Sequence, residues 1–236
     1  MTTIDTAVVL AGGRGSRLMP ETKDKPKAMV PVFKKPLVDW IIFWLKKNGI
    51  RTVVVSVDYK KEKLIDYLGN GRRYGLRIVT NVHTGAEETG DAFRSVLSNI
   101  KLPDTFLALN SDQITDLRIL PLMRRHRKYA PIATIVTTPA RMPYGIVEAD
   151  RAHSITAFKE KPILKQVLMS TGIYVFHKSI AAYLPQKGAI EKTTFPRLVK
   201  EKKIRMYVHR GLFTTINTHK DLEEAEVTLR QSGHLL

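Results

Sequence analysis

Thr6-Ala7-Val8-Val9-Leu10-Ala11-Gly12-Gly13-Arg14-Gly15-Ser16-Arg17-Leu18 is the stretch that decides how this chain folds. The apolar run Thr6–Ala11, with paired valines, reads as a strand buried on both faces. It empties into a glycine-rich turn that carries Arg14 and Arg17. One loop later comes Lys25-Pro26-Lys27, and then Val30-Pro31-Val32. Glycines let backbone N–H groups approach phosphate oxygens, and the cations offset their charge. Leu10, Ala11, Gly12, Gly13, Arg14, Gly15, Arg17 and Lys27 are therefore candidates for holding a nucleoside triphosphate. The loop is not of the Gly-x-x-x-x-Gly-Lys-Ser/Thr kind. Gly13 and Gly15 start a Gly-x-Gly-x-x-Gly pattern, but Leu18 takes its third glycine's place.

Outward from this loop, strand and helix patterns alternate. Pro36 to Asn48 reads as a helix, with proline in its first turn and Gly49 as its C-terminal cap. Thr52–Val57 is continuous and β-branched, as a buried parallel strand is. Helices at Lys60–Leu68 and Gly90–Asn99 alternate with strands at Leu76–Thr80 and Thr105–Leu109. That rhythm argues for a parallel sheet with helices on both faces. The second half differs. A helix at Leu117–Tyr129 precedes strands at Ile132–Thr138, Gly145–Ala149, Ser154–Phe158 and Ser170–Phe176, a set that suits a mixed sheet with antiparallel pieces. A helix at Thr193–Lys200, a strand at Ile204–His209 and a last helix at about Lys220–Gln231 follow. Thr218 is placed to cap that last helix, with Asp221 three residues on.

The expected fold class is α/β: a doubly wound, mostly parallel sheet with a mixed half. Length fits one domain of 236 residues, divided near 115 into a first half that carries the glycine loop and a second half of mixed character. Cysteine is absent, which excludes disulfides and thiolate metal sites. No apolar run is long enough to span a membrane, and the N-terminus lacks a basic segment before an apolar one, so a cytoplasmic protein is expected. Net charge is +17. The cations are mostly spread out (Lys34-Lys35, Lys46-Lys47, Lys60-Lys61, Arg72-Arg73, Lys202-Lys203), as on a solvated surface. Only Arg124-Arg125-His126-Arg127-Lys128 is dense, late in a helix where cations suit the dipole. A nucleic-acid partner is disfavoured despite the charge, because no aromatic-rich binding motif accompanies it.

Leu-Ala-Gly-Gly-x-Gly-Ser-Arg-Leu, a spacer, Pro-Lys and Pro-Val together resemble the signature of the sugar-1-phosphate nucleotidyltransferases, or NDP-sugar pyrophosphorylases. Further matches follow in family order: Leu109-Asn110-Ser111-Asp112, Tyr144-Gly145-Ile146-Val147, Phe158-Lys159-Glu160-Lys161-Pro162, Thr171-Gly172-Ile173-Tyr174-Val175-Phe176 and Ile216-Asn217-Thr218. The resemblance covers nearly the whole chain and implies a Rossmann-like nucleotidyltransferase fold, without the C-terminal β-helix that many relatives carry. The pattern is most similar to mannose-1-phosphate guanylyltransferases, their uridylyl relatives and glucose-1-phosphate thymidylyltransferases.

The implied reaction joins an NTP to a sugar-1-phosphate, a hexose-1-phosphate by expectation, and gives an NDP-sugar and pyrophosphate. The attacking phosphate is already anionic, so positioning and charge neutralisation suffice and no general base is needed. By resemblance the catalytic residues are Arg17, Lys27, Asp112 and Lys161. Arg17 meets the outer phosphates and Lys27 the reacting ones. Gly90 and Asp112 join the nucleotide site. Gly145, Glu160, Lys161, Thr171 and Glu191 form the sugar site.

A carboxylate beyond a strand's carboxyl end can hold Mg²⁺. Asp112 is that carboxylate. Many relatives supply a second metal aspartate in Trp-x-Asp-x-Gly-Thr, and Thr215 stands in its place here. Another branch uses the second asparagine of Asn-x-Asn-Thr/Asn, which Asn217 matches, so the expected Mg²⁺ ligands are Asp112 and Asn217. Base recognition should come from the first loop and His83–Ala92, but Asp91 departs from the usual glycine and the base stays open. His83 itself reads as a loop residue rather than a ligand. Two alternatives stand beside the sugar reaction: a catalytically weak regulatory subunit, suggested by Thr215, and nucleotidyl transfer to a non-sugar phosphate. A homo-oligomer is compatible with everything above.

Overall fold

The computed structural model describes residues 4–83, 85 and 88–232. β1 (Thr6–Leu10) leads through the glycine loop to a two-stranded ribbon, β2 (Pro31–Val32) and β3 (Lys35–Pro36), and then to α1 (Leu37–Lys47). Next come β4 (Thr52–Val57), α2 (Lys61–Leu68), β5 (Arg77–Val82), α3 (Thr89–Asn99) and β6 (Thr105–Asn110). β7 (Gln113–Thr115), α4 (Ile119–Tyr129), β8 (Ala133–Arg141) and a second ribbon, β9 (Ile146–Ala149) with β10 (Ile155–Lys159), follow. The chain ends with β11 (Ile163–His177), α5 (Thr194–Lys200), β12 (Ile204–Val208), β13 (Phe213–Thr215) and α6 (His219–Gln231).

Seven strands form the central sheet in the order β12-β8-β11-β6-β1-β4-β5. β1 pairs in parallel with β4 and β6, β4 with β5, and β12 with β8. β11 alone runs antiparallel, between β6 and β8. Side-chain alternation along each strand feeds two cores. Ala7, Val9, Val53, Val55, Leu107 and Leu109 pack under α1, α2 and α4. Val8, Val54, Phe106 and Ala108 pack under α3 and α5 through Phe93, Val96, Phe195 and Leu198. A third cluster seats Ala225 and Leu229 of α6 against Leu18, Val32, Leu37 and Trp40. Leu18, which breaks the glycine fingerprint, is wholly buried there. The expected doubly wound, mostly parallel architecture is the one observed.

Expected elements are present with shifted ends. β11 departs most, running from Ile163 rather than Ser170. Its first half is largely exposed and pairs only with β8, across two register shifts, so no apolar run announces it. α4 starts at Ile119 rather than Leu117, because the Thr115 hydroxyl accepts the Leu117 N–H and Asn48 Oδ1 accepts that of Ile119. No helix among the described residues is long and apolar enough to cross a membrane.

The dense cluster on α4 hides one buried member. His126 is 4% exposed, with its Nδ1 2.8 Å from the Thr134 hydroxyl. Burial, with His177 and Arg127 adding to it, pushes its pKa down from 6.5 to about 4. The unfolded chain therefore takes up this proton first. The stability contribution is present above about pH 6.5 and is lost as pH falls through about 4, up to about 3 kcal/mol. Urea unfolding at pH 7 and pH 4 should show a loss of stability that shrinks in His126→Gln. An equal loss in that variant would contradict the assignment.

Candidate active site

The chain leaves β1 for β4 and β5 on one side and returns to β6 on the other. This is the switch point at which open α/β sheets leave a crevice beyond the strand carboxyl ends. A cleft of about 250 Å³ lies there. Leu10 at the end of β1 lines it with Gly12 and Gly13 of the first loop, and Asn110 at the end of β6 with Ser111 and Asp112 of the turn that follows. Lys27, His83, Glu88, Thr89 and Ala92 complete the wall.

At the mouth, Lys27 Nζ is 2.7 Å from Asp112 Oδ2 and 2.7 Å from Asn217 Oδ1. Arg17 donates to the same Asn217 oxygen at 3.2 Å. Residues up to 200 positions apart thus meet at one point. Local structure explains each placement. Gly15 is left-handed at φ 65, and a Cβ there would come within 3.0 Å of Lys27 Cβ, so only glycine lets the loop close on the lysine stem. β13 pairs antiparallel with β7, and the Ile216 N–H donates to the Asp112 carbonyl at 2.8 Å, setting Asn217 beside Asp112.

Asn217 is then held by the start of α6. Asp221 Oδ2 accepts the N–H of both Asn217 and Thr218 at 2.9 Å, and the Thr218 hydroxyl accepts the Asp221 N–H in return. The capping expected from the sequence therefore also positions a site residue. Thr218→Ala should cost about 1 kcal/mol of stability and loosen Asn217. Thermal melts that do not distinguish the variant from the wild type would contradict this role.

The Lys27 ammonium acts here as a stand-in cation: one carboxylate oxygen and one amide oxygen already converge on it. Asp112 and Asn217 therefore fit a small divalent ion. Among the described residues no three of His, Cys, Asp and Glu converge to hold a metal, so an ion here would draw its other ligands from substrate and water. Thr215 lies in β13, paired with Gln113.

Ala11 is buried behind the cleft with its N–H on the Ser56 carbonyl, while the exposed Arg14 lies 5.9 Å from the Tyr59 ring. Gly90 packs against the loop before α5, where a Cβ would clash with the Gly188 carbonyl. Its neighbours Thr89 and Ala92, not Gly90 itself, line the cleft. Glu191 reaches the same spot: its Oε2 accepts from the Thr89 hydroxyl at 2.8 Å and its Oε1 from Tyr174 at 3.2 Å.

The other sugar candidates are not all joined to this centre. Thr171 is buried, and its hydroxyl is engaged with the Val136 carbonyl and the Ile173 N–H. Gly145 and Glu160 lie together on the β9–β10 ribbon: a Cβ on Gly145 would meet the Phe158 ring at 2.5 Å and Glu160 Oε2 at 3.0 Å. Lys161 pairs loosely with Glu224 of α6 at 3.7 Å.

His83 lies in a loop, as the sequence reading has it, and burial there adds what the sequence does not show. It is 6% exposed, lines the cleft, and neither ring nitrogen has a hydrogen-bond partner among the described residues. Burial lowers its pKa, against the opposing pull of Asp58 and Asp91, so the ring is neutral at pH 7 and offers one donor and one acceptor. A Cβ on Gly12 would come within 3.3 Å of the ring, which is how closely the first loop covers it. The available signal was its place, directly beyond the carboxyl end of the parallel strand β5.

Comparison with known proteins agrees with this geometry. The nucleotidyl transferase family profile matches residues 6–232. The chain is 31% identical over 213 residues to a UTP–glucose-1-phosphate uridylyltransferase of Synechocystis, covering 82% of this chain and 55% of that protein. It is 30% identical over 222 residues to a mannose-1-phosphate guanyltransferase of Gibberella zeae, covering 91% and 61% respectively. The chain thus spans a little over half the length of these two relatives. A D-glycero-alpha-D-manno-heptose 1-phosphate guanylyltransferase of Aneurinibacillus thermoaerophilus is 27% identical over 228 residues, with 95% of this chain and 98% of that protein covered. The crystal structure of HddC from Yersinia pseudotuberculosis shares the fold, with a TM-score of 0.75 at 22% identity over 96% of this chain and all of that one. Glycine loop, switch-point cleft and sequence match converge: the chain belongs to the nucleotidyl transferase family.

Proposed function

We propose that this protein transfers a nucleotidyl group from an NTP to a sugar-1-phosphate, with a hexose-1-phosphate as acceptor, releasing an NDP-sugar and pyrophosphate. The observation that carries this is the meeting of Lys27, Arg17, Asp112 and Asn217 at the mouth of the switch-point cleft. A phosphate oxygen of the sugar phosphate attacks the α-phosphorus, the bond to the β-phosphate oxygen breaks, and that oxygen leaves with its electron pair as pyrophosphate. The nucleophile is an anion from the start, so the reaction needs no general base.

What the chain must supply is in-line positioning and charge. Arg17 faces the outer phosphates with a planar fork suited to paired oxygens. Lys27 meets the reacting phosphates. Asp112 and Asn217 would hold Mg²⁺, which when bound offsets phosphate charge. The glycine loop lies along the triphosphate, and His83 offers its unpaired nitrogens to the base. Glu191, Gly145, Glu160 and Lys161 serve the acceptor, with Lys161 exchanging its loose contact with Glu224 for the sugar phosphate. The cytoplasm, where NTPs and sugar phosphates are available, is the expected setting.

The test is pyrophosphate release from ATP, GTP, CTP, UTP and dTTP against glucose-, mannose- and N-acetylglucosamine-1-phosphate, with and without Mg²⁺. The expected result is strong, Mg²⁺-dependent turnover for one pair. Silence across the grid from folded protein would contradict the proposal.

A further inference from the structure

We propose that the Lys27 ammonium is the placeholder of the metal site. In the nucleotide-free protein it occupies the point between Asp112 and Asn217, and an arriving triphosphate draws it away so that a divalent cation can enter. Resting on the metal assignment made above, this adds an order of events: the metal comes with or after the nucleotide, not before it.

One oxygen of each expected metal ligand is already engaged. Asp112 Oδ2 and Asn217 Oδ1 each accept from Lys27 Nζ at 2.7 Å, and Asn217 Oδ1 accepts from Arg17 as well. The Lys27–Asp112 pair is well shielded, with the lysine side chain 12% exposed. An ammonium and a divalent ion cannot use the same two oxygens together. They compete for the same lone pairs, and they repel each other in a region where water screens poorly.

Formal charge points the same way. Among the side chains that meet at these two oxygens, Asp112 contributes −1 against Lys27 and Arg17, and Asn217 is neutral, so this set is net positive; the neighbouring Asp221 carboxylate is turned to the backbone N–H groups of Asn217 and Thr218. A divalent ion entering alone would add to that excess. A triphosphate reverses its sign and gives both cations other anionic partners, which frees the two oxygens. Little has to move. Gly15 grips the stem of Lys27, since a Cβ at Gly15 would lie 3.0 Å from Lys27 Cβ and 3.2 Å from Cγ, so the exchange is confined to the far end of the side chain. Lys27 already lines the cleft in which the phosphates would lie.

An aspartate in place of Asn217 would give the centre a second negative charge and weaken this exclusion. The neutral amide thus makes the site one that binds metal poorly until nucleotide arrives.

Mn²⁺ binding to the nucleotide-free protein, read from the electron paramagnetic resonance of the free ion, tests this. Wild type, Lys27→Met, Lys27→Gln and Lys27→Met/Asp112→Asn are compared, with melts to show that each is folded. The wild type should bind weakly. Both single variants should bind at least tenfold more tightly, and Asp112→Asn should remove the gain. Equal affinity in wild type and both single variants would overturn the placeholder role and leave the metal assignment standing. A gain that survives Asp112→Asn would put the metal elsewhere and overturn the metal assignment itself.

Discussion

Asp112→Ala should lower kcat/KM for pyrophosphate release by about a thousandfold while the protein folds normally. Among the described residues the carboxylate is the one anionic group in contact with Lys27 at the cleft mouth, 2.7 Å from its ammonium. Without it Asn217 alone cannot hold a divalent ion, and Lys27 loses the partner that fixes its direction. Folding should survive, because the tie that brings β13 to this turn uses the Asp112 backbone carbonyl and not its side chain. Asp112→Asn separates charge from shape. It keeps the size and an acceptor for Lys27 but removes the anion, and it should be nearly as slow as the alanine variant. Activity within about fivefold of wild type in either variant, measured by pyrophosphate release, would remove Asp112 from the mechanism.

Lys27→Met should cost a few hundredfold in kcat, with a much smaller change in KM for the nucleotide. Charge at the reacting phosphates grows toward the transition state, and an ammonium aimed there stabilises that state more than the ground state. Arg17 and the glycine loop still hold the triphosphate, so ground-state binding is largely kept. Met preserves the length and apolar stem that Gly15 grips, so the loss reports charge rather than packing. A rise in KM with kcat unchanged would make Lys27 a binding residue only. The same substitution is expected to increase metal affinity in nucleotide-free protein, and no purely structural role moves those two readouts in opposite directions.

Much of this was legible in the chain. Ala7–Ala11 is apolar on both faces and Thr52–Val57 nearly so, as strands covered by two helical layers are, and the doubly wound sheet follows from them. The cap of α6 was readable to the residue, though the helix starts at His219 rather than Lys220, because a capping box is a local pattern: Thr218 and Asp221 satisfy each other without help from the rest of the fold. What could not be read depended on distant neighbours. The first half of β11 carries Lys165-Gln166 and looks like a loop; only its pairing with β8 makes it strand. His83 looked unremarkable because burial, not spacing, makes its unpaired nitrogens matter. The contact of Thr89 with Glu191 joins positions 102 apart and has no local signature.

The site was legible as residue types but not as an arrangement. Asp112 and Asn217 could each be matched to a motif, yet nothing along the chain places Lys27 between them. That depends on the β7–β13 pairing, the turn after β6 and the left-handed Gly15 acting together.

Nucleotidyl transfer to a sugar-1-phosphate is tested by product stoichiometry, read by mass spectrometry for the best NTP and sugar-1-phosphate pair with wild type and Asp112→Ala side by side. One NDP-sugar per pyrophosphate from the wild type, and almost none from the variant, is the predicted result. Pyrophosphate without NDP-sugar, or equal product from both proteins, would contradict it.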